Sequence, residues 1–203
     1  MGDHPAESFM KSIDFACFSA LGTWASQREP CSSCGWHWEI KVPPLLVQWE
    51  RSNEIIGDFS WDGPFGYTCI VKREVADMIR ASQQTCRFMP IDFLKPDHKR
   101  NTVPFPCKGP LLSWLQCSAM IELDKEASGV KLESSCPACG DVRYTFRSSE
   151  IVIRSSQWGG EEMFRIASNG MSDATFVTEG GRRMIEERGF SNIEFTEAGE
   201  IVR

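Results

Sequence analysis

Between residues 67 and 91 the chain reads YTCIV, then KREVADMIRAS, then CRFMPI. The first run is apolar and of strand length, and the second places Val75, Met78 and Ile79 on one helix face. The third returns to strand character. The same order comes back near the other end of the chain, as ATFV at 174 to 177, TEGGRRMIEERG, and NIEFTE at 192 to 197. There Thr178 stands where an N-cap belongs, and Gly189 where a left-handed stop would follow. Upstream of each unit lies an alternating segment. WHWEIKV sets Trp36, Trp38, Ile40 and Val42 on one face and His37, Glu39 and Lys41 on the other, and DVRYTFR turns Val142, Tyr144 and Phe146 inward. Pro43-Pro44 ends the first of these strands, and residues 95–110, KPDHKRNTVPFPCKGP, read as a Pro-rich connection. LLSWLQCSAMIEL, which follows, has no clean period, and EASG after it reads as a turn.

Directly before each alternating segment stands a CxxCG pentad, CSSCG at 31 to 35 and CPACG at 136 to 140. Setting one on the other takes a shift of 105 residues, and setting Met78-Ile79 on Met184-Ile185 takes 106. The two displacements differ by a single residue, so the pattern predicts an internal duplication. The expected fold is α+β: two imperfect strand-helix-strand repeats, each preceded by a CxxCG knuckle and a β-strand. Residues 1–203 would form one compact unit, with half-repeats at about 24–92 and 129–198. The copies are not identical. Ser82-Gln83-Gln84 stand where the second copy has Arg188-Gly189-Phe190, and the apolar parity counted from the second cysteine differs.

Zinc favours tetrahedral thiolate coordination, and cysteines two residues apart present both sulfurs from one tight turn. The Gly after each pair suits that turn, because it tolerates a positive φ and lets amides approach the sulfurs. Cys31, Cys34, Cys136 and Cys139 would together close one structural zinc site, a ribbon-like joint holding the halves in register. Redox dithiols of the thioredoxin kind sit at a helix N-terminus, whereas each pair here runs into Gly and an alternating strand. Redox chemistry and four metal-free thiols stay as alternatives.

Composition narrows the remaining choices. The chain has nine cysteines, an odd number, and FMKSIDFACFSAL is interrupted by Lys11 and Asp14, so neither a disulfide framework nor a signal peptide or membrane span is expected. The reading is a reduced, cytoplasmic protein. A net charge of −6 argues against a general nucleic-acid binder and suits a basic protein partner. Lys95, Lys99 and Arg100, and Arg182 with Arg183, are expected to be solvated surface. Cys17, Cys69, Cys86, Cys107 and Cys117 are read as buried small side chains, with Cys107 and Cys117 as an alternative second metal pair. The chain carries no GxSxG, P-loop, HExxH or dinucleotide fingerprint, and His37 and His98 have no recognisable catalytic partner. No enzyme is expected. Candidate contacts with a partner are Trp61 and Trp158, in the Gly-containing WDG and WGG runs, and the acidic pairs Glu161-Glu162 and Glu186-Glu187.

CSSCG, CPACG and the C-terminal ATFVTEGGRRMIEERGFSNIEF resemble the double-CXXCG motif family known as expanded paralogues in myxobacteria, over roughly residues 24 to 198. Members are described as immunity proteins, partners of toxins delivered to neighbouring bacterial cells. The resemblance implies a non-catalytic protein that binds and neutralises one cognate toxin. A zinc-ribbon adaptor or regulatory protein is the alternative, and a CxxC redox protein the third.

Overall fold

The computed structural model describes residues 4–11, 18–20, 23–26, 30–36, 39–50, 56–61, 68–82, 85–94, 102–103, 111–145, 151–167 and 174–203. His37, Trp38, Cys17, Cys107, His98, Phe146 and most of the Pro-rich connection fall outside these residues. In the first half of the chain come β1 (His4–Lys11), β2 (Phe18–Ala20), β3 (Thr23–Ser26), β4 (Glu39–Val42), β5 (Leu45–Glu50), β6 (Phe59–Trp61) and β7 (Cys69–Lys72). Helix α1 (Arg73–Ser82), β8 (Cys86–Met89), β9 (Ile91–Phe93) and β10 (Thr102–Val103) follow. The second half has β11 (Leu112–Cys117), β12 (Met120–Ile121), β13 (Lys131–Ser135), β14 (Val142–Thr145), β15 (Ile151–Arg154), β16 (Met163–Ile166) and β17 (Phe176–Val177). Helix α2 (Glu179–Glu186) and β18 (Glu194–Val202) complete it. The mixture of helices and strands is α+β in character.

Both helices form where the periodicity places them. In α1, Val75, Ala76 and Ile79 are buried while Asp77 and Arg80 pair at 2.8 Å on the outer face. In α2 the Thr178 hydroxyl caps the helix by accepting the Gly181 N–H at 3.1 Å, and itself donates to the Glu162 carboxylate. Gly costs helix stability, about 1 kcal/mol relative to Ala, yet space requires it here: a Cβ on Gly181 would lie 2.6 Å from the Glu162 carbonyl oxygen.

Strand pairing shows an order that the sequence does not reveal. In one sheet β6, β7, β11 and β8 lie side by side, each pair antiparallel. In the other, β16, β17, β1 and β18 take the same order and the same directions. Even the register recurs, since Ser113 faces Val71 and Trp114 faces Ile70, while Ser8 faces Val177 and Phe9 faces Phe176. Beyond β8 the chain passes Pro90 into β9, which runs parallel to β5, as β18 runs parallel to β15. The strand between β7 and β8 thus comes from the second half, and the strand between β17 and β18 from the first. Neither β1 nor β11 lies within the half-repeat bounds of 24–92 and 129–198.

The sheet that contains β11 is covered on both faces, which explains why LLSWLQC shows no alternation. Leu115 and Cys117 enter a central core with Val71, Val75, Ile79, Met163, Val177 and Ile185, drawn from both halves. Trp114 points the other way, to Leu45, Val47, Trp49 and Ile70. A third cluster on the far face of the second sheet contains Ile151, Ile153, Phe164, Phe176 and Ile201.

The turn after α2 fastens the halves a second time. The Ser191 backbone amide and hydroxyl donate to Asp58 Oδ2 at 2.7 and 2.6 Å, Lys72 Nζ lies 3.1 Å from Oδ1, and the Asn192 side-chain Nδ2 donates to the Phe59 carbonyl. Burial alone would raise the Asp58 pKa, but the Ser191 donors and Lys72 outweigh it and hold the carboxyl below its ordinary value. A depressed folded-state pKa stabilises above the unfolded pKa, and that contribution disappears as pH falls through the folded value. Asp58→Asn is therefore expected to lower stability at neutral pH and to make the loss below about pH 4 shallower. Urea titrations at pH 7 and pH 3 measure both effects.

Candidate metal centre

The two pentads occupy equivalent places. CSSCG lies in the connection between β3 and β4, and CPACG in that between β13 and β14; both strand pairs are antiparallel. In the first knuckle Gly35 N–H donates to the Cys31 carbonyl at 2.7 Å, and Cys31 N–H to the Trp36 carbonyl at 2.8 Å. In the second, Gly140 N–H donates to the Cys136 carbonyl and Cys136 N–H to the Asp141 carbonyl, each at 2.8 Å. Gly35 and Gly140 have φ of +70° and +75°, the left-handed region where a Cβ is strained. This is the physical reason both pentads end in Gly.

These turns bring all four sulfurs together. Cys31 Sγ lies 3.9 Å from Cys136 Sγ and Cys34 Sγ 3.7 Å from Cys139 Sγ, and the four atoms are within 4.8 Å of one another. A disulfide would hold two sulfurs about 2 Å apart, and all four cysteines are free thiols. Four thiolates around an ion at a metal–sulfur distance of about 2.3 Å would stand roughly 3.8 Å apart. The cluster therefore fits a single tetrahedrally held metal ion, with every coordination position supplied by protein.

Backbone amides prepare the sulfurs unequally. The Cys34 and Ser33 amides hold the Cys31 thiol down at about 6, and the Cys139 and Ala138 amides lower Cys136 in the same way. At Cys34 the Trp36 amide favours the thiolate, but desolvation and the Cys136 and Cys31 sulfurs raise the pKa overall. Cys139 behaves likewise: the Asp141 amide is outweighed, and the thiol is pushed up to about 12. The first cysteine of each pair is thus the readier to ionise and the second the more reluctant. A bound cation would displace the thiol protons.

The other candidates separate. Trp61 is 2% exposed, in a strand buried at all three positions, so it is a core residue and not a contact. Trp158 is half-buried against the second-half core, and its Nε1–H donates to the Glu161 carbonyl at 2.9 Å. The Glu161 carboxylate accepts the Gly159 amide, and that of Glu162 is taken up at the start of α2. Glu186 and Glu187 are exposed, Glu186 pairing with Arg182 at 2.8 Å. Cys69, Cys86 and Cys117 are buried, and Cys117 faces Cys86 across the β8–β11 pair at 3.5 Å. Trp36, Asp141 and Arg143 surround the knuckles without having stood out in the sequence. Toward the cysteines, Trp36 and Asp141 act through their amides and carbonyls, which leave no mark in the sequence.

Fold and site together define an α+β protein in which a closed four-cysteine cluster, able to hold a metal ion, joins two hairpins. No protein-family model and no curated protein matches the chain. No helix among the described residues is long and apolar enough to cross a membrane.

Proposed function

We propose that this chain is a cytoplasmic, non-catalytic immunity protein that binds and neutralises a cognate antibacterial toxin, on a body braced by one structural zinc. The observation that carries the reading is the convergence of the two CxxCG pentads into one closed cluster. An ion held by four thiolates has no open position for substrate or water, so its effect is mechanical. The pentads are also the most specific part of the likeness to the double-CXXCG proteins. The matching strand orders support a further point: the body is two copies of one unit whose leading strands have been exchanged. A rigid frame of this kind suits a protein that acts through its surface, and a net charge of −6 favours a basic partner.

Rescue of cells expressing the toxin from the neighbouring gene, together with co-purification of the two proteins, is the expected result. A toxin that is neither bound nor neutralised contradicts the proposal. Retention of the purified chain on nucleic acid at physiological salt would favour the adaptor reading instead.

A further inference from the structure

Trp36 and Asp141 are the residues that directly follow the two pentads, and they do the same work. The carbonyl of each accepts the N–H of its first cysteine at 2.8 Å, and the amide of each donates to its second cysteine's sulfur. Their side chains are joined by one cation. Arg143 Nε lies 3.4 Å from Asp141 Oδ2, and its guanidinium carbon lies 4.8 Å from the centre of the Trp36 ring.

We infer that Arg143 is the charge-balancing and positioning residue of the metal centre, coupling the two knuckles from outside the coordination shell. The inference rests on the metal reading above. Four thiolates on a divalent ion carry a net charge of −2, and Asp141 adds a carboxylate beside them. That carboxylate is 4% exposed, and among the described residues its Oδ1 has no hydrogen-bond partner. A buried carboxylate with a single cationic partner depends strongly on that partner, because removing it leaves an uncompensated charge. Arg143 supplies the opposite charge at this point. Its stacking on Trp36, a cation–π contact, extends the link from one knuckle to the other. Partners of this kind, one shell beyond the ligands, commonly change metal affinity about 10-fold to 100-fold when lost.

The experiment is zinc release from the full chain into excess chromogenic chelator. Arg143→Gln is expected to release the ion about 10-fold faster than wild type. Arg154→Gln supplies the control. Arg154 pairs with the largely buried Asp124 at 2.6 Å but lies in β15, outside both hairpins, so its loss should leave release unchanged. Adding Asp141→Asn to Arg143→Gln should bring the rate back toward wild type, since the carboxylate needing balance has gone. A merely structural role for Arg143 would not give that recovery. Wild-type release from Arg143→Gln, or no recovery in the double variant, overturns the inference while leaving the metal reading intact. A wild-type protein that carries no metal overturns both.

Discussion

Removing the metal with a chelator is expected to lower the thermal midpoint of the wild-type protein by roughly 10 °C, and Cys34→Ser to lower it by a similar amount. An ion held by both knuckles would link chain positions 105 residues apart. By the chain-entropy argument, a cross-link closing a loop of about a hundred residues removes about 4 to 5 kcal/mol of freedom from the unfolded state. For a chain of this length each kcal/mol corresponds to about 2 to 4 °C. Cys34 is exposed, so replacing its sulfur disturbs little packing, and the loss should be traceable to the ion. In the presence of chelator the two proteins should therefore melt together. Equal melting without chelator would show that the cluster does not brace the fold.

Phe9→Pro is expected to destabilise the second sheet by about 3 kcal/mol or more, although the substitution lies near the beginning of the chain. Phe9 faces Phe176 on one side and Thr196 on the other, so β1 is an inner strand between β17 and β18. Proline removes an N–H that one of those neighbours needs, and sheets tolerate it only at edges and bulges. The urea midpoint should fall, and β17, α2 and β18 should lose amide protection before α1. An unchanged midpoint would mean that β1 is dispensable to that sheet.

What was legible in the sequence was chiefly local. CxxCG writes its turn into adjacent residues, Val75, Met78 and Ile79 write a helix face, and Thr178 writes a cap. The convergence of Cys31 and Cys34 with Cys136 and Cys139 could be expected because one chemistry requires both pairs. The placement of β1 and β11 could not, because pairing between distant strands is set by the whole sheet. LLSWLQC, covered on both faces, carries no period to announce itself. Trp61 misled for a related reason: the following Gly suggested a loop, whereas Phe59, Ser60 and Trp61 are all buried in β6. Glu162 looked like surface charge because its partner, the capped start of α2, is 16 residues away. Two electrostatic links, Asp58 to Ser191 and Arg143 to Trp36, span the halves and leave no spacing signal at all.

The central claim is that the two pentads form one zinc site. Elemental analysis of protein purified without chelator, combined with alkylation of its native thiols, tests it most directly. About one zinc per chain is expected, with Cys31, Cys34, Cys136 and Cys139 protected from alkylation until the metal is removed. A metal-free protein whose pentad cysteines react at once in the folded state would contradict the account.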